Sequence, residues 1–147
     1  MIAPTRWTEE LASLIPDAQT IVIPGGTLGP SGRMKLTMLW RFVGVAGVKT
    51  QRVRLTNLAG TSLVSAASAA NSLSGIIELN WWNLTAASQA LMDGGNVGHG
   101  YSSVDVVNLA VNTANDFTIV ITAQNAAAAD TSTLVAYDLE LCDTPFA

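Results

Sequence analysis

The sequence predicts an all-β protein: an antiparallel, jelly-roll-like β-sandwich of eight or nine strands with a short N-terminal helical arm. Three observations predict it. Apolar and polar residues alternate with a period of two through Met34–Phe42, Ile76–Trp82, Phe117–Thr122 and Val135–Leu141, as half-buried strands require. Turn clusters such as Pro24-Gly25-Gly26 and Gly29-Pro30-Ser31-Gly32 punctuate that alternation. The intervals between strand signals are too short for crossover helices. This excludes parallel βαβ units, and the strand count with its long connections favours a jelly roll over a meander. The 147 residues fit one folding unit, an arm at 1–17 followed by a sandwich at 18–147.

The elements follow in order. Trp7, Leu11, Leu14 and Ile15 lie at i, i+4, i+7 and i+8, the apolar stripe of a helix over 5–15. Thr5 or Thr8 would cap it, Glu9 and Glu10 suit its first turn, and Pro16 ends it. Under three turns long, such a helix must dock, either on its own sandwich or on a neighbour. Gln19–Ile23 is a short β-branched strand. Two longer strands follow at 33–45 and 49–56, then a short one at 61–65, and 66–71 is either strand or loop. In the strand 76–82, Trp81 and Trp82 must face opposite sides, so one is core and the other is exposed or in an interface. Residues 86–92 read as a short helix or a weak strand, and 94–100 as a Gly-rich loop. Strands at 103–109, 117–124 and 133–142 complete the body, the last with Val135, Tyr137, Leu139 and Leu141 on one face.

Composition narrows the function classes. The chain is 49% hydrophobic and only 12% charged, against roughly 25% charged in an average soluble domain. No run of 18 apolar residues occurs, so no membrane span is expected. The N-terminus lacks the charged start and apolar core of a signal peptide. A weakly charged surface suggests an obligate oligomer or a coat component. The net charge of −4 and pI near 4.6 argue against general nucleic-acid binding.

Little in the sequence points to chemistry. His99 and Cys142 are the sole histidine and cysteine, and no acid–base constellation converges, so an enzyme is not expected. Acids are scattered singly, without metal-ligand spacing, and neither a metal nor any other cofactor is expected. The Gly94–Gly100 loop lacks the Gly-Lys-Ser/Thr ending of a phosphate loop.

Charge distribution is more informative. Six of the seven basic residues, Arg33, Lys35, Arg41, Lys49, Arg52 and Arg54, fall between Arg33 and Leu55, and no Lys or Arg follows. This stretch reads as a basic hairpin with Met34, Leu36, Met38, Trp40 and Phe42 turned into the core. Its cations either pair with Glu78, Asp138 or Glu140 on neighbouring strands or form a docking surface. The candidate contact residues are therefore Arg33, Lys35, Arg41, Arg52 and Arg54, with Trp82 and the arm residues Trp7, Leu11, Leu14 and Ile15.

Three segments carry a family resemblance: Ile23–Gly32 with Leu39-Trp40 after it, Lys49-Thr50-Gln51-Arg52-Val53-Arg54-Leu55, and Ala136-Tyr137-Asp138-Leu139-Glu140-Leu141. Across about 18–142 the sequence resembles the small β-sandwich proteins of tailed-bacteriophage virions, which include capsid decoration (cement) proteins and fibre head domains. The resemblance implies a structural virion protein on the capsid surface, made in the host cytoplasm and assembled as a homotrimer. The major capsid protein is its implied partner, with no nucleic acid or membrane involved. Its alternative is a fibre or tailspike head domain that binds a host-surface glycan. It carries over no catalytic residue.

Overall fold

The structure, a computed structural model, describes residues 5–10, 18–91 and 106–142. Ten strands are present among them: β1 (Thr5–Glu10), β2 (Ala18–Ile23), β3 (Arg33–Val43), β4 (Lys49–Leu55), β5 (Ser62–Ser68), β6 (Ser74–Thr85), β7 (Ser88–Leu91), β8 (Val107–Leu109), β9 (Phe117–Asn125) and β10 (Thr131–Cys142). One sheet runs β1-β10-β3-β6-β7-β8 and the other β2-β9-β4-β5, all neighbours antiparallel. Without β7 and β8, each sheet has four strands, β1-β10-β3-β6 and β2-β9-β4-β5, and every connection except the β4–β5 hairpin crosses between sheets. This is jelly-roll topology, with the β7–β8 pair extending one sheet beyond β6.

The core forms where the inward faces meet. β3 turns in Met34, Leu36, Met38, Trp40 and Phe42; β6 gives Ile77, Leu79 and Trp81; β9 gives Phe117, Ile119 and Ile121. Trp81 stacks on Phe117 with ring centroids 5.5 Å apart. As the period-two pattern predicts, Trp81 is buried and Trp82 lies half-buried on the outer side.

Two expectations are corrected, and one pair of alternatives is decided. Thr5–Glu10 is a strand, not the start of a helix, and its register sets Trp7 opposite Leu139. Without β1, β10 would be an edge strand, with the backbone groups on the side away from β3 unpaired. Six residue pairs between β1 and β10 at Ala136–Leu141 satisfy that side, which a marginal helix could not. Thr5–Glu10 thus adds an edge strand to the six-stranded sheet; Leu11, Leu14 and Ile15 lie outside the described residues. In β10, the register shifts between Leu134 and Ala136, so Leu134 faces inward while Val135 does not, and Tyr137, Leu139 and Leu141 resume the inward phase. A β-bulge, invisible to simple alternation, makes that change. Finally, the ambiguous 86–92 segment contains a strand, Ser88–Leu91.

Polar clasps hold both ends of the sandwich. At one end Lys49 and Asp130, both fully buried, pair at 3.4 Å. Lys49 Nζ also donates to the carbonyls of Gly44 (2.9 Å) and Ala70 (2.7 Å), while Asp130 accepts from the backbone N–H groups of Ala46 (3.1 Å) and Gly47 (2.7 Å). Gly44 adopts φ +90°, and a Cβ there would strike the Asp130 side chain. Burial pushes the Asp130 carboxyl up, but the two N–H groups and the Lys49 ammonium outweigh it and hold its pKa below the ordinary value. At the other end Asn83 accepts from Trp81 Nε1 (2.8 Å) and donates to Gly29 O (2.8 Å) and Thr113 Oγ1 (3.0 Å). Gln89 makes a two-way bond with the backbone of Val111.

Leu36→Ala, in the centre of the core, should cost about 2–5 kcal/mol in chemical denaturation. A carboxylate with a depressed folded pKa stabilises the fold above its unfolded pKa and loses that contribution as pH falls through the folded value. Wild-type melting temperature should therefore drop in acid below about pH 4. Asp130→Asn should be less stable at neutral pH and show a shallower acid decline. Deleting residues 1–10 should lower the melting temperature and promote aggregation, read by light scattering, because it bares the β10 edge.

Candidate interaction surface

The basic stretch does not form one surface. β3 and β4 belong to different sheets, so the chain between them crosses the sandwich instead of turning a hairpin. The outward residues of β3, Arg33, Lys35 and Arg41, lie on the six-stranded sheet. The outward residues of β4, Arg52 and Arg54, lie on the four-stranded sheet, on the opposite side of the molecule. Lys49 is on neither surface, because it occupies the inward phase shared with Gln51 and Val53.

The cations also differ in their partners. Lys35 pairs with Glu78 at 3.1 Å. Arg52 donates to Gln124 Oε1 (2.9 Å), and Arg54 to the Gly60 carbonyl (3.0 Å). Of the expected carboxylate partners, Glu78 serves Lys35 rather than an arginine. Arg33 and Arg41 are exposed and make no hydrogen bond or ion pair with the described residues. Trp82 sits across from Arg33 on the adjacent strand.

No family model and no curated protein matches the sequence. Among solved structures, that of dimeric latent PorU from Porphyromonas gingivalis is similar, with a TM-score of 0.51 and 10% sequence identity. The match covers 95% of this chain and 13% of the PorU chain. At that identity the likeness shows the fold alone, and it supports the β-sandwich.

Apolar exposure marks a surface that charge patterning did not. Leu39, Val43, Val45, Val48, Leu73 and Ile76 are all exposed and belong to the second half of β3, the loop after it, and the residue before β6 with the start of that strand. Leu39 and Ile76 are register partners, and Leu39 is also the partner of Ala136. With Thr37, Tyr137 and Asp138 they line a shallow groove of about 160 Å³ whose accessible wall is entirely apolar. A signal for this was present in the sequence: Leu39 and Val43 fall in the same phase as Arg41, and Ile76 in that of Glu78. Apolar residues that adjoin one another in the outward phase of neighbouring strands are the mark of a covered face.

The groove's floor is firm. β3 is paired along its length by β10 on one side and β6 on the other. The loops beyond its C-terminal end are tied by the Lys49–Asp130 clasp, which joins 44–47, Ala70 and Asp130. Among the described residues no three His, Cys, Asp or Glu side chains gather as a metal site, and no helix is long and apolar enough to cross a membrane. His99 and the 94–100 loop lie outside the described residues.

Because Lys35 and Glu78 are both partly exposed, Lys35→Ala should change stability by no more than about 1 kcal/mol. Arg41→Glu should leave the melting temperature nearly unchanged, since Arg41 is bonded to none of the described residues. A large loss on thermal unfolding would show that its charge serves the fold.

Proposed function

We propose that this chain is a structural virion protein of a tailed bacteriophage, a capsid decoration protein that stabilises the shell by binding the major capsid protein and copies of itself. The observation that carries this reading is the exposed apolar groove on a weakly charged sandwich, a surface suited to permanent cover. Two further points support it. Jelly rolls are recurrent in capsid proteins, although the fold hosts other functions as well. The segments that resemble virion proteins fall on structural positions: 23–32 links the two sheets, 49–55 is β4, and 136–141 lies in β10. That resemblance therefore speaks for architecture and supplies no active-site residue.

A second reading, a fibre or tailspike head that binds a host-surface glycan, is favoured by Trp82. Its half-exposed ring lies on the outer face beside Arg33, an arrangement able to stack on a sugar.

The test is addition of the purified chain to expanded empty capsids. A decoration protein binds at fixed stoichiometry and raises the capsid melting temperature, because a ligand of the assembled state stabilises that state. Failure to bind capsids, with adsorption to envelope polysaccharide that Trp82→Ala abolishes, would replace this reading with the glycan one.

A further inference from the structure

We propose that the Leu39–Ile76 groove is a self-complementary interface that joins two copies of this chain about a two-fold axis. The outward chemistry is ordered along β3. Thr37 is bracketed by Asp138 on β10 and Glu78 on β6, giving a row with a carboxylate on each side; Glu78 also pairs with Lys35 of the preceding row, so a second cation would share it. Two residues further on, Leu39 is bracketed by Ala136 and Ile76, an apolar row. Two residues beyond that, Arg41 is bracketed by Thr133 and Ser74, so that row holds a cation between neutral side chains. Successive outward rows stand about 7 Å apart along the strand. The face therefore reads acid, apolar, cation at even spacing.

That sequence of rows is complementary to its own reversal. A two-fold axis through the apolar row lays Leu39 and Ile76 of one copy against the same residues of the other. It also lays each Arg41 over the partner's acidic row. An isologous interface requires this kind of self-match. The components are available for it: Ile76 is 63% exposed, Leu39 is 41% exposed, and Arg41 is engaged by no described residue. Charge on the face is arranged for recognition around an apolar centre, the usual anatomy of an interface. A partner of unrelated sequence would have to reproduce the same spacing of apolar group and cation; a second copy carries it already.

The face is also pre-organised. β3 is hydrogen-bonded on both sides, so the three rows keep their spacing in the free chain, and binding orders only side chains. Val43 and Leu73, exposed beyond the cation row, widen the apolar contact at its edge.

Sedimentation velocity across a concentration series tests the proposal on the full chain. Wild type should shift from monomer to dimer, and rising salt should weaken the dimer by screening the Arg41 contacts. Ile76→Asp and Arg41→Glu should each raise the dissociation constant about tenfold or more, as loss of a central contact does. Leu58→Asp, which alters an exposed apolar residue in another loop, should leave it unchanged. Thermal melts establish that each variant folds; if Ile76→Asp does not, Arg41→Glu decides, since Arg41 is bonded to none of the described residues. A strictly monomeric wild type overturns the proposal. So does a trimer, association insensitive to Arg41→Glu, or equal loss in Leu58→Asp. The capsid reading fails separately: a chain that dimerises but ignores capsids keeps this interface and loses that function, whereas a monomer that decorates capsids does the reverse.

Discussion

The buried pairing of Lys49 with Asp130 is the interaction on which the loop end of this sandwich depends. A jelly roll passes its chain repeatedly between sheets, so connections at each end must be fixed without a regular ladder. Here one ammonium collects the carbonyls of Gly44, Gly47 and Ala70, while one carboxylate collects the N–H groups of Ala46 and Gly47. Three connections are thereby joined at one point: β3–β4, β5–β6 and β9–β10. A buried pair of this kind carries a desolvation cost that its mutual attraction alone need not offset. Dense hydrogen bonding on both partners is what makes it tolerable, and the geometric consequence is a single arrangement of the loops. An apolar pair of equal volume could fill the space but could not satisfy five backbone groups.

That constraint shapes the outer face. β3 can serve as the central strand of the extended sheet because its C-terminal end is anchored beyond the last ladder bond. With β3 fixed between β10 and β6, the outward residues of all three strands form ordered cross-strand rows, and chemistry on the surface acquires a definite spacing. Sparse charge matters here. On a densely charged sheet, Arg41 would have neighbours to neutralise it; flanked by Thr133 and Ser74, it stays available to another molecule.

Much of the fold was legible in the sequence. The alternation Met34–Leu36–Met38–Trp40–Phe42 gave the inward face of β3, and the Trp81-Trp82 pair divided as strand geometry demands. Counting strands and turns was enough for the jelly roll. What failed has physical causes. The stripe of Trp7, Leu11, Leu14 and Ile15 satisfies a helix, but the need to pair the edge of β10 is a tertiary demand that no local pattern encodes. The bulge at Val135 inserts one residue and reverses the phase. Clustering of cations in sequence became separation in space because β3 and β4, joined in sequence, belong to opposite sheets. Lys49 was predictable in principle, since it shares the phase of Val53, yet its charge argued for the surface until Asp130 entered from a distant loop.

The candidate surface follows from the same lesson about phase. Basic residues drew attention because charge is conspicuous in a chain that has little of it, but five outward cations on two opposite faces define no common site. Leu39 and Ile76 are inconspicuous by type and informative by position: each occupies the outward phase of a central strand, where solvent exposure of a large aliphatic side chain is unfavourable in an isolated molecule. A single such residue would mean nothing. Two on adjacent strands, level with one another, beside a carboxylate-flanked row on one side and an unengaged arginine on the other, form a pattern whose simplest complement is its own reversal. The strand ladder that builds the core thus also sets the spacing by which the surface can recognise a second copy.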